Sequence, residues 1–195
     1  MTPTTDRRPD LYRAFEHAAG IAEGIQASQM TAHTPCSKYD VAELLDHTVM
    51  AAHRTSAIGR GEPADAWRLG AGIDDLTEVA DELRRAGKEA VEAWSDDSRL
   101  NMEVKMPWGE VYPGSVLVDM YLTEVATHTW DLAAATGQLE RLDPSLAGPV
   151  LAAATGMLKP EYRNDEGSPF GPEVEAPEGA SSWERVAAFM GRQPR

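Results

Sequence analysis

Apolar residues recur at three- and four-residue steps through most of the chain. Leu11, Ala14, Phe15, Ala18, Ile21, Ala22 and Ile25 form one such run, and it predicts an amphipathic first helix of about five turns. Thr34 to Asp40 is a polar connection. Asp40 followed by Glu43 has the form of a capping box, with Asp in place of the usual Ser or Thr, and opens a second helix. That helix is expected to run to about Ile58 and to end in Gly59, Arg60 and Gly61. Ile73, Leu76, Ala80, Leu83, Ala90, Val91 and Trp94 carry a third, with Asp74, Asp75 and Glu78 favouring its positive N-terminal end.

The period then changes. From Leu100 to Met106 apolar and polar residues alternate, the pattern of a half-buried strand. Pro107 to Glu110 can turn, and Val111 and Tyr112 can return as a short partner strand. Pro113 suits the first turn of a fourth helix that continues to Thr136 and stops at Gly137. Asp143 and Pro144 read as cap and first residue of a fifth helix ending near Leu158. Residues 159–180, rich in Pro, Gly and Glu, are expected to be irregular, and Ser182 to Met190 forms a final short helix closed by Gly191. No repeat or domain boundary interrupts this pattern. The expected fold is mainly α, with residues 1–195 as a single domain. It is an up-and-down helix bundle with a small β-hairpin before the fourth helix and extra C-terminal helices.

Composition narrows the class. A length of 195 residues suffices for one full hydrophobic core. A net charge of −14 argues against nucleic acid, whose phosphates need clustered Lys and Arg, and against an anionic membrane surface. No apolar run has the length of a transmembrane helix, and the polar N-terminus lacks the apolar core of a signal peptide. With Cys36 as the sole cysteine no internal disulfide can form, which points to a reducing cytoplasm.

Candidate chemistry sits in the fourth helix. Glu124 and His128 are one turn apart on one face, and Asp131 follows three residues later. At 3.6 residues per turn the three occupy a stripe about 60° wide. Leu117 and Ala135 lie in the same stripe, flanked by Met120 and Tyr121, so it otherwise reads as core. An unpaired carboxylate there would be costly, and a bound cation removes that cost. His47 sits at the edge of the apolar face of the second helix, near Leu44 and Ala51. Two His and one Glu are a common ligand set for a metal with an open position. The spacing alone equally permits a Glu–His hydrogen-bonded pair beside an unrelated core histidine.

Thr34 to Asp40, Leu44 to His47 and Leu122 to Gly137 resemble the metal-binding domain of mycothiol-dependent maleylpyruvate isomerase. They are most similar to the single-domain proteins of that group, within the DinB/YfiT-like superfamily. Residues Phe170 to Val174 and Arg185 to Arg192 resemble the tail of those short members, so the likeness covers nearly the whole chain. Its most specific part is His-x-Trp-Asp-Leu-Ala-x-Ala-Thr-Gly at 128–137. The resemblance implies a DinB-like four-helix core binding a divalent metal, zinc or nickel, through His47, Glu124 and His128. It also implies a low-molecular-weight thiol such as mycothiol as cosubstrate. The isomerase itself carries a second, C-terminal domain with arginines that handle substrate, and these residues end where it would begin. The metal site is therefore expected to carry over, and the isomerase substrate is not.

The expected activity is a thiol-dependent transfer or isomerisation of a small electrophile, with hydrolysis second and no general base identifiable. The alternative is a non-catalytic metal-binding protein, whether sensor, carrier or inactive relative. A third reading is a helical interaction module whose polar residues serve packing; a homodimer stays open. Asp131 can accept from the far ring nitrogen of a ligand histidine or face solvent. Cys36 can be a reactive thiol or a buried small hydrophobe, and nothing in the pattern ties it to the site. His17, His33 and His53 fit surface or structural roles. Trp108, Trp130, Tyr39 and Tyr121 are pocket-wall candidates for which bundle core is the simpler expectation.

Overall fold

Short capping signals set where the helices begin and end. The computed structural model describes residues 5–67, 76–163 and 170–194. Its elements are α1 (Arg8–Glu23), α2 (Val41–Arg60), α3 (Leu76–Ala93), β1 (Glu103–Lys105), β2 (Val111–Pro113), α4 (Gly114–Thr136), α5 (Pro144–Met157) and α6 (Ser182–Phe189). The capping box before α2 is present. Asp40 accepts the Glu43 N–H at 2.9 Å, and Glu43 accepts the Asp40 N–H at 3.0 Å. Asp143 and Ser181 cap α5 and α6 in the same way, each accepting an N–H of the first turn. Gly61 and Gly137 close α2 and α4 in the left-handed conformation, at φ 77° and 73°.

Several boundaries differ from expectation for local reasons. α1 stops at Glu23, so Ile25 lies past the helix, yet it stays buried. The expected opening of α3 at Ile73, Asp74 and Asp75 lies outside the described residues, and Val91 faces outward on α3 instead of joining the core. Asp97–Asn101 curl into a 3-10 turn, capped by Asp96 on the Ser98 N–H, which leaves only Glu103–Lys105 as strand. Glu103 pairs with Pro113, Val104 with Tyr112 and Lys105 with Val111 in an antiparallel hairpin. Trp108, expected in the core, sits on the hairpin turn and is 56% exposed. Pro113 takes the cap position of α4, one residue earlier than expected. Beyond α5, Pro160–Arg163 forms a 3-10 turn and 170–180 is irregular, as expected; 164–169 lie outside the described residues.

The four long helices form the bundle. α1 packs on α3 and α4, and so does α2, so α1 and α2 stand at opposite corners. α5 covers α4, and α6 covers α5 and α4. Helix α4 is thus enclosed on most sides, which is why its sequence is apolar nearly all round. Leu11, Phe15, Leu44, Leu45, Leu83, Trp94, Leu117 and Leu122 fill the centre. This mainly helical architecture with one small hairpin is consistent with the expected DinB-like bundle. Among the described residues no helix is long and apolar enough to cross a membrane.

Candidate metal centre

The inward faces of α2 and α4 bring His47, Glu124 and His128 together. One donor atom from each lies within 4.8 Å of the other two. His47 Nε2 stands 3.2 Å from Glu124 Oε1, and the His47 and His128 rings meet edge to face with centroids 5.1 Å apart. His47 and Glu124 each keep about a fifth of their side chain exposed, at 21% and 22%, so the cluster opens to one side. Tyr39 stacks on His47 at 4.9 Å between ring centroids and limits how that ring can turn. Burial works to raise the Glu124 carboxyl. Its hydrogen bond with His47, together with the fields of His128 and Arg54, outweighs burial and holds it below the usual carboxylate range.

Asp131 is fully buried and does not face solvent. Its carboxylate can only accept, so His128 Nδ1 donates to Oδ2, at 3.1 Å. The same carboxylate takes both arms of a guanidinium fork. Arg192 Nε donates to Oδ1 at 3.1 Å and Nη2 to Oδ2 at 2.9 Å. Burial alone would raise the Asp131 carboxyl, but these partners lower it, and it stays ionised although buried. With Nδ1 engaged, the free lone pair of His128 is on Nε2. The candidate donor set is then two imidazole nitrogens and one carboxylate, with the Asp131 carboxylate orienting the His128 ring. Borderline divalent ions such as zinc take this set, and the residues fit such an ion.

Three neighbours escaped the sequence reading. Cys36, for which no spacing gave a link, offers its sulfur within 4.8 Å of His128 and Asp131 donor atoms. It is buried, as a small hydrophobe would be. Burial pushes its thiol up, a backbone N–H at Lys38 opposes this, and the Asp131 charge adds to the rise. Arg54 lies seven residues beyond His47 and so on nearly the same face of α2. Its Nε is buried without a hydrogen-bond partner, and its charge reaches Glu124 and Tyr121. That spacing was a usable signal. Arg192 is 61 residues from Asp131, and no local pattern links them.

The remaining candidates separate from the cluster. His53 turns away and meets Glu82 at 2.6 Å, a structural pair between α2 and α3. His17 Nε2 accepts the Asp143 N–H at 3.2 Å and stacks on Trp183. His33 lies in the loop before α2, in an isolated bridge with Asp40. Trp130 and Tyr121 are buried. A cavity of about 630 Å³ opens beside the end of α4, lined by His33, Trp130, Gly137, Leu139 and Arg192 among others.

Comparison with known proteins shows the family to which the chain is related. Two uncharacterized proteins of Mycobacterium tuberculosis, MT0763 of strain CDC 1551 / Oshkosh and Rv0738 of strain ATCC 25618 / H37Rv, are each 34% identical to the chain. Each alignment runs over 188 residues, 94% of this chain and 96% of the relative. No solved structure matches. The family described as mycothiol maleylpyruvate isomerase N-terminal domain matches residues 11–133, which include His47, Glu124, His128 and Asp131. The chain belongs to that family.

Proposed function

We propose that the protein binds one divalent ion, zinc or nickel, through His47, Glu124 and His128 and catalyses a thiol-dependent transfer or isomerisation on a small electrophile. The observation that carries this reading is the convergence of two imidazoles and a carboxylate from two helices within 4.8 Å, with Asp131 already holding one of the rings. When bound, such an ion supplies Lewis acidity that favours the deprotonated form of a coordinated thiol. Mycothiol, or a thiol like it, is the cosubstrate that the family description suggests. The protein's own residues do the rest. Tyr39 and Asp131 orient the two rings, Glu124 contributes the one negative ligand, and Arg54 sets a positive charge close to it. Cys36 is packed in the interior, where burial pushes its thiol up, and the reacting sulfur in this reading comes from outside. A free buried thiol suits the reducing cytoplasm.

The test is to incubate metal-loaded protein with mycothiol or a close analogue and a panel of electrophiles such as halobimanes. Conjugate should form faster than with the His47→Ala variant. Equal rates across the panel would favour a non-catalytic metal-binding protein. One observation supports that second reading: the 630 Å³ cavity is lined by Arg192 and Trp130 but by none of the three ligands.

A further inference from the structure

We propose that Arg192 is a positioning residue for the metal site, and that the chain's last turn is thereby part of that site. This rests on the proposed ligand set. Asp131 Oδ2 serves His128 and Arg192 together, while Oδ1 is held by Arg192. A carboxylate gripped at both oxygens cannot rotate, so the acceptor it offers His128 Nδ1 is fixed in place. Without the guanidinium Asp131 is free to turn, and the imidazole loses the partner that keeps its proton on Nδ1 and its lone pair on Nε2.

Arg192 is itself delivered by a built structure. Its backbone N–H donates to Ala187 O at 2.9 Å, and its Nη1 donates to Met190 O at 3.0 Å. Gly191, at φ 78°, turns the chain inward against the Gly171 backbone. Arg163 Nη1 bridges Gly171 O at 3.2 Å and Phe189 O at 2.6 Å, which ties the two strands of chain together. The tail, α4 and the ligand ring are thus joined by consecutive hydrogen bonds. Coupling between sites is reciprocal. If docking of Arg192 favours metal binding, metal binding favours docking of residues 187–192.

The experiment compares zinc affinity of wild type, Arg192→Met and Arg192→Lys by competition with a chromophoric chelator. Nitrogen-15 NMR of the metal-free proteins reads the His128 tautomer. Arg192→Met should bind zinc about 10- to 100-fold more weakly, the usual effect of losing an outer partner of a ligand. Its His128 should show a mixture of tautomers in place of Nδ1–H alone. Arg192→Lys, which can hold one oxygen, should fall between the two and still fold if the methionine variant does not. Amide exchange in residues 187–192 should slow on adding zinc to wild type and not to His128→Ala. Wild-type affinity and an unchanged tautomer in either folded variant would overturn the inference. A wild type that takes up no zinc would remove the proposed function, and the metal-free ring spectrum would then decide the role of Arg192.

Discussion

Asp131 and Arg192 form a two-armed ion pair in a fully buried position, with contacts of 3.1 and 2.9 Å. Within helix α4 the carboxylate meets His128, three residues earlier, and both His128 and Arg192 hold it below its ordinary range against burial. The C-terminal segment supplies the permanently charged partner, Arg192. A pair of this kind contributes little net stability but is costly to break from one side, since the remaining charge is left buried.

Replacing Asp131 by Asn should therefore unfold the protein at markedly lower urea concentration. The guanidinium of Arg192 would keep its burial and lose its counter-charge, a loss of about 3–5 kcal/mol. Adding Arg192→Met to Asp131→Asn should recover part of that loss, because no orphan charge remains. Urea denaturation of the two single variants and the double variant measures both effects. A double variant whose loss equals the sum of the single losses would show that the pair does not act as a unit.

His128→Ala and His53→Ala should have opposite signatures. The first removes one of three proposed ligands, so elemental analysis should show metal content falling from about one ion per chain toward zero. The second breaks the 2.6 Å contact between His53 and Glu82 and leaves the site untouched. It should cost about 1–3 kcal/mol in stability with metal content unchanged. Equal metal content in wild type and His128→Ala would count decisively against the ligand assignment.

Much of this was legible in the chain because helices impose their own geometry. Glu124, His128 and Asp131 share a face by spacing alone, and Asp40, Gly61, Gly137 and Asp143 announce helix ends through local hydrogen bonding or backbone conformation. The family match over residues 11–133 agrees with the resemblance read from the sequence. What could not be read was non-local. The pairing of Asp131 with Arg192 spans 61 residues, and the nearness of Cys36 depends on how the loop before α2 folds over α4. The order of helices around the core has no local signature either. Apolar character does not bury Trp108, because a two-stranded hairpin has no second layer to cover its turn.

Stability should fall in mild acid partly through His17. Its ring accepts the Asp143 N–H that opens the α5 connection, so the neutral form is the one that fits. Burial lowers its pKa below the ordinary 6.5; Asp143 opposes that, while Arg141 and Arg13 reinforce it. The unfolded chain then takes up a proton before the folded one does. The contribution is fully present above 6.5 and is lost as pH falls from there through the folded pKa, below which the loss levels off. His17→Gln should flatten the stability slope in that window relative to wild type. A variant with the same slope would assign the acid sensitivity to other groups.

Gly191→Ala tests whether the tail must thread closely to dock Arg192, and Gly179→Ala is its control. Both glycines have left-handed backbone, at φ 78° and 76°. Either substitution should cost about 1–2 kcal/mol for placing a Cβ in that conformation. They differ in what the new atom meets. At Gly179 nothing lies within 4 Å, whereas at Gly191 the Cβ would fall 2.9 Å from the Gly171 backbone. Backbone cannot swing aside as a flexible side chain can, so the segment carrying Arg192 must shift outward. Gly191→Ala should therefore lose clearly more stability than Gly179→Ala and should weaken zinc binding in the same direction as Arg192→Met. Gly179→Ala should leave zinc affinity alone. Thermal melts and chelator competition on both variants give the comparison. If Gly191→Ala bound zinc like wild type while destabilised, the tail would hold the fold together without setting the geometry of His128.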